Sequence, residues 1–170
     1  DYFSLQLTEA WVSDNPAFFD RSVRVAMRTL PQGALVQVAI ADVRGDVAYS
    51  HLTDGPVQLD RQRPVNIADR EHFQVHLGGD ESTFYISEPI LGRISNTWTV
   101  QFTRGLWKDG VFGGVLVLAV SASHLSAALE STFPDEDDVA LIVRSDGTYI
   151  ARSRELEGVF GTRLPPDRPF

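Results

Sequence analysis

Three strand-length apolar runs joined by short turns constrain this chain more than any other feature. They are TFYISEPI (83–90), NTWTVQFTR (96–104) and VFGGVLVLAVS (111–121). Lys108-Asp109-Gly110 is hairpin chemistry, because Asp-Gly readily adopts the left-handed backbone of a tight turn. Pro89 and Gly92 are expected to close the first link. Strands joined this closely have no length for a crossover, so they pair antiparallel. In the middle run Trp98, Val100 and Phe102 alternate with Thr99, Gln101 and Thr103, so the two sets point to opposite faces. The apolar set is expected to meet the helices of residues 2–30, leaving the polar set on the opposite face. Arg104 shares parity with the apolar set.

An internal repeat adds a second constraint. QVAIADVRGDVAYS (37–50) and VALIVRSDGTYIARS (139–153) both read as strand, polar turn with glycine, strand. Superposing Gly45 on Gly147 also matches Ile40 with Ile142 and Val47 with Tyr149, an offset of 102 residues. A period near 100 is domain-sized rather than solenoid-sized. The expected organisation is one module over 1–131, with 132–170 as a linker and the opening of a second.

The rest of the chain supplies helices. Leu5, Leu7, Trp11, Phe18, Phe19, Val23, Ala26, Met27 and Leu30 can form one apolar stripe. Asn15-Pro16 interrupts it, as a cap followed by proline at the first helical position. A hairpin is expected over 35–50 with its turn at Asp42–Asp46, then an irregular connection over 51–68. A helix over 69–77 precedes the three strands, and another over 121–133 is capped by Ser121 or Ser123. The acidic link 134–138 lacks the spaced ligands and central glycine of an EF-hand loop.

Composition narrows the function classes. The 170 residues are 43% hydrophobic and 22% charged, ordinary values for a globular protein. A net charge of −8 opposes nucleic-acid or anionic-lipid binding through bulk electrostatics. Cysteine is absent, which excludes disulfides and thiolate chemistry. No run approaches the roughly 18–20 apolar residues that cross a bilayer. Asp1 is not a natural start, so the chain reads as a piece of a longer protein.

The segments ADREHF, YISEPILGRISNTW and TRGLWKDGVFGGVLVLAVS together resemble the double-Cache sensors, extracytoplasmic modules of bacterial histidine kinases, diguanylate cyclases and chemoreceptors. The resemblance covers roughly 30–131 as the membrane-distal module. It implies an α+β fold: a PAS-like five-stranded antiparallel sheet with a long N-terminal helix and a small-molecule pocket. It also implies a periplasmic or extracellular location, homodimerisation through the N-terminal helix and a membrane-anchored parent protein with a separate output domain. Amino-acid-binding members carry an Arg-x-Trp-Tyr segment, a strand Tyr and an Asp on the last strand. Here these positions fall at Arg70-Glu71-His72-Phe73, at Tyr85 and at Ala119. The arginine that could hold a carboxylate is kept, and the carboxylate that would pair with an ammonium is missing. The ligand expected is therefore a small organic acid or other anion.

The candidate ligand-binding residues are Arg70, His72, Phe73, Tyr85, Ser87, Gln101, Thr103 and Ala119. Arg70 leads them, because a guanidinium matches a carboxylate with two parallel hydrogen bonds. A structural ion pair with Asp69 or Glu88 is the competing role. Val115 and Val117 share the parity of Ala119. His72 and His76 are spaced i, i+4 but lack a third metal ligand, so no metal is expected. No catalytic triad, nucleophile elbow or phosphate loop is present, and neither an enzyme nor a cofactor is expected. The rival classes are a dimerisation or partner-protein module that binds no ligand, a cytosolic PAS-like cofactor domain, and a small hydrolase.

Overall fold

Asp109 and Gly110 both take positive φ, 52° and 76°, and close the longest hairpin of the sheet. The computed structural model describes residues 2–12, 15–52, 65–133, 135 and 137–165. Two helices come first, α1 (Tyr2–Val12) and α2 (Pro16–Thr29), followed by β1 (Leu35–Ala41) and β2 (Val47–Ser50). Then come α3 (Glu71–Leu77), β3 (Phe84–Leu91), β4 (Trp98–Lys108), β5 (Val111–Ser121) and α4 (Ala122–Thr132). The chain finishes with β6 (Leu141–Val143), β7 (Tyr149–Arg152) and a 3-10 turn at Leu156–Val159. Strands β1–β5 form one antiparallel sheet in the order β2-β1-β5-β4-β3, and β6-β7 form a separate two-stranded sheet. This is the α+β, PAS-like sheet expected from the sequence.

The N-terminal helical region is two helices, as Asn15-Pro16 dictates. The Asn15 side chain accepts from the Phe18 amide at 3.0 Å, and Pro16 opens α2. Ser121 caps α4 by accepting from the His124 amide. Among the described residues no helix is long and apolar enough to cross a membrane.

Strand parity builds a core on each side of the sheet. Leu7 and Ala10 of α1 and Phe19, Val23 and Ala26 of α2 pack on Val38, Ile40, Leu106 and Leu116. Trp11, Phe19 and Tyr49 stack edge-on across that layer, Phe19 lying 4.9 Å from both partners. On the opposite face Ala39, Val47, Val115 and Val117 bury Ile67 and Phe73. Leu5 and Phe18, expected in the apolar stripe, are exposed, because the buried faces of the two helices run through Leu7 and Phe19 instead. Val100 is fully buried and Arg104 shares its face, donating to Ser4 of α1 and lying over the Phe84 ring. Trp98 departs from expectation: it is 42% exposed and stacks on Phe160 at 4.5 Å rather than on the N-terminal helices. Pro89 lies inside β3, not after it. An edge strand can hold a proline at an irregularity, and the register shifts between Ile86 and Pro89.

The hairpin repeat extends to individual hydrogen bonds. Asp42 N–H donates to Asp46 O and Gly45 N–H to Asp42 O; 102 residues later Arg144 donates to Thr148 and Gly147 to Arg144. Gly45 and Gly147 have φ of +82° and +84°. The register shifts at Ile40/Ala41 in one copy and Ile142/Val143 in the other. Each hairpin even gains a bridge to a following segment, Asp46 with Asn66 and Thr148 with Arg163. Most of the connection 51–68 and part of the link 134–138 lie outside the described residues.

The helix-side core should carry most of the stability. Phe19→Ala is expected to cost about 3–5 kcal/mol in urea unfolding, the usual loss for a buried aromatic. Phe102→Ala, at a half-buried position, should cost markedly less. Equal costs at the two positions would contradict this placement of the core.

Candidate functional site

Helix α3 is fixed to the sheet at three points. At its entry the Ile67 amide donates to Gly45 O at 2.8 Å and the Arg70 amide to Ile67 O. A Cβ at residue 45 would meet the Ala68 backbone at 2.6 Å, so only glycine lets the β1–β2 turn seat this segment. Phe73 is buried edge-on to Phe112. His76 Nε2 and Thr103 Oγ1 share a 2.8 Å hydrogen bond across to β4. With Phe73 and His76 committed to the sheet, Arg70 and His72 are left beside a cavity of about 40 Å³.

The cavity has apolar walls and a few convergent polar groups, the usual make-up of a small-molecule site. Ala39, Val47, Ile67 and Val117 rise from the sheet and its flank, and Ile90, Leu91 and Ile94 close it from the β3–β4 side. Gln37, Arg70, His72, Arg93 and Gln101 supply the polar atoms. No Asp or Glu lines it among the described residues. About 40 Å³ is roughly three or four water positions, which suits a ligand of only a few heavy atoms.

The charges around the cavity are unequally matched. Arg93 grips Asp69 with two hydrogen bonds of 2.7 and 2.6 Å and also reaches the Asn66 carbonyl. Those bonds hold the Asp69 carboxyl down to about 2. Asp69, expected as an ion-pair partner for Arg70, is thus taken by Arg93. The Arg70 side chain has no ion pair or hydrogen bond among the described residues, and Glu88 does not reach it. Burial, and then the Arg70 charge, push His72 down to about 4, so it is neutral at neutral pH. His76 is likewise pushed down to about 4, by burial and then by Arg104.

A row of three residues crosses the sheet beneath this charge. Ala119 on β5 pairs with Gln37 on β1 and with Gln101 on β4. The two glutamines are only 7% and 4% exposed. Gln37 Nε2 donates to Ser50 Oγ at 2.9 Å and Gln101 Nε2 to Thr99 Oγ1 at 2.6 Å. Their side-chain carbonyls have no donor among the described residues.

The eight residues singled out from the sequence divide as follows. Arg70, His72 and Gln101 line the cavity, with Ala119 buried next to Gln101. Phe73 and Thr103 instead hold α3 in place. Ser87 accepts from the Gln101 backbone N–H at 2.9 Å and donates to Glu88 O. Tyr85 turns toward the second hairpin, where Arg144 donates to its hydroxyl at 3.0 Å and lies 5.1 Å over its ring. Burial, then Glu71, push the Tyr85 phenol up to about 12. Gln37 and Arg93 were not singled out. Gln37 becomes a candidate only once its register against Ala119 is known, and Arg93 only once Asp69 is seen beside it.

Known proteins place this architecture. No protein-family model matches the sequence, and no curated protein does. Solved structures do match. The extracellular domain of the histidine kinase rpHK1S-Z16 is 26% identical, with a TM-score of 0.68 over 96% of this chain. The ligand-binding domain of the Pseudomonas fluorescens chemoreceptor CtaA, in complex with L-isoleucine, has a TM-score of 0.71 over 99% of the chain at 15% identity. That of the Campylobacter jejuni chemoreceptor Tlp3, in complex with 4-methylisoleucine, has a TM-score of 0.66 over 99% at 13% identity. The chain spans 63%, 66% and 64% of these three domains. It therefore has the fold of Cache-type extracytoplasmic sensor domains, which bind ligands rather than catalyse reactions.

The two buried histidines set a pH dependence. Each has a folded pKa near 4, below its ordinary 6.5, so between these values the unfolded chain holds more protons. Stability should therefore fall as pH drops from 6.5 to 4.5, by about 1–3 kcal/mol per histidine. Asp69 acts only below about pH 4, outside this window. Urea unfolding of the native chain and of a His72→Gln/His76→Gln double variant checks this. The slope should flatten in the variant, and a native chain equally stable at both pH values would contradict the assignment.

Proposed function

We propose that this chain is the extracytoplasmic sensing region of a transmembrane signalling receptor, and that the cavity under α3 takes a small organic acid or other small anion. The observation that carries the ligand class is Arg70, which lines the cavity and whose guanidinium has no ion pair or hydrogen bond among the described residues. An unpaired, half-buried cation is costly, and a carboxylate would compensate it with two charge-assisted hydrogen bonds. The missing carboxylate at Ala119 and the absence of Asp or Glu from the described lining favour an anion over an ammonium.

Residues 1–131 form the membrane-distal module in this reading, and 132–170 open the membrane-proximal one. Binding would shift a population between packings of α3 on the sheet. The second hairpin is within reach of that shift, because Glu71 of α3 acts on Tyr85 and Arg144 of the hairpin holds the same phenol. The parent would be membrane-anchored and dimeric through its N-terminal helices. Exposed Phe18 and Val25 beside a groove of about 290 Å³ between α1 and α2 support that face. The same groove favours the second reading, a dimerisation module that binds no ligand.

Calorimetry with short carboxylates and with matched amines tests the ligand class. Arg70→Ala should weaken carboxylate binding by about 1–3 kcal/mol, the range for a lost charged hydrogen bond. Tight binding of a cationic amine, unchanged by that substitution, would overturn the proposal.

A further inference from the structure

The anion proposal leaves the Gln37–Ala119–Gln101 row without a role, and the row is built for something. Two glutamines that are more than nine-tenths buried flank the smallest side chain able to lie between them. Each is tethered at one end, Gln37 to Ser50 and Gln101 to Thr99, and both border the cavity that Arg70 enters. Their carbonyl oxygens have no protein donor among the described residues yet are not sealed away, so each remains accessible to a water or to a polar group of a ligand.

We propose that this row reads a hydroxyl group next to the carboxylate, making the preferred ligand a short 2-hydroxy acid. This rests on the carboxylate lying at Arg70. An α-ammonium is poorly served at this site. It would enter a cavity with no acidic lining among the described residues, close to the Arg70 charge and the neutral His72. A plain alkyl acid would leave both amides unmet. A hydroxyl is neutral, and it both donates and accepts. It therefore satisfies an amide whichever of its two ends faces the cavity, the oxygen or the nitrogen. The cavity size agrees, because a three-carbon hydroxy acid has only six heavy atoms and the space is about 40 Å³. Sites that hydrogen-bond a ligand hydroxyl discriminate strongly against analogues lacking it, since the site's own polar groups are then left unpaired.

Three probes differing at one substituent test this: 2-hydroxypropanoate (both enantiomers), propanoate and alanine, which carry hydroxyl, hydrogen and ammonium at the same carbon. Titration calorimetry on the native chain should rank one hydroxypropanoate enantiomer at least tenfold tighter than either of the others. In Gln101→Leu that advantage should shrink to about twofold or less. In Gln101→Glu, which places a carboxylate in the row, alanine should overtake hydroxypropanoate. Arg70→Ala should weaken every probe that binds. Alanine or propanoate binding the native chain as tightly as hydroxypropanoate would overturn the hydroxyl inference, even if a variant failed to fold. The anion reading would survive that result only if Arg70→Ala still weakened propanoate. Binding of none of the three would end both.

Discussion

The β4–β5 ladder is the constraint on which the rest of this molecule depends. It registers Thr99 with Ser121 at one end and Lys108 with Val111 at the other, and it occupies the middle of the sheet. Side chains alternate along both strands, so a slip of one residue would exchange the two faces completely. In the observed register Leu106 and Leu116 lie under the N-terminal helices, while Gln101 and Val117 line the cavity on the other face, with Ala119 paired to Gln101. One sheet thus supports a stabilising layer on one face and, in the proposed reading, a binding layer on the other. The hairpin turn and the close approach of Gly114 to β1 hold that register. Gly114 has φ +133°, and a Cβ there would lie 2.1 Å from Ala41 O.

The site gains its character from charge imbalance rather than from depth. Asp69 and Arg93 neutralise one another at the rim, and the two neighbouring histidines are kept uncharged by burial. Among the described residues, what remains is one guanidinium without an ion pair, that of Arg70, beside two glutamine side chains. Such an arrangement is incomplete until a ligand arrives, and for a sensor that is useful. A domain whose pocket is already satisfied has little free energy with which to couple binding to a change of packing.

Much of the fold was legible because it rests on local chemistry. Asn15-Pro16, Asp109-Gly110 and the Ser121 cap each specify a boundary through backbone geometry, and each lies where the sequence placed it. The hairpin repeat was legible for the same reason, since Gly45 and Gly147 occupy equivalent left-handed positions. Strand parity in β4 assigned Gln101 and Arg104 to opposite faces from alternation alone. The site was only partly legible, because its remaining members meet through register across separate strands. Nothing local to Gln37 says that it lies beside Ala119, and nothing local to Arg93 says that it will take Asp69. Trp98 escaped prediction because its partner, Phe160, is 62 residues away in a segment with no periodic pattern.

The central claim is that the cavity is organised around an anion held by Arg70. A crystal structure of the chain grown with 2-hydroxypropanoate tests it most directly. The predicted result is a carboxylate in the cavity under α3, its two oxygens within about 2.7–2.9 Å of the Arg70 guanidinium. A carboxylate in the groove between α1 and α2, or one in the cavity with Arg70 turned away from it, would contradict the claim.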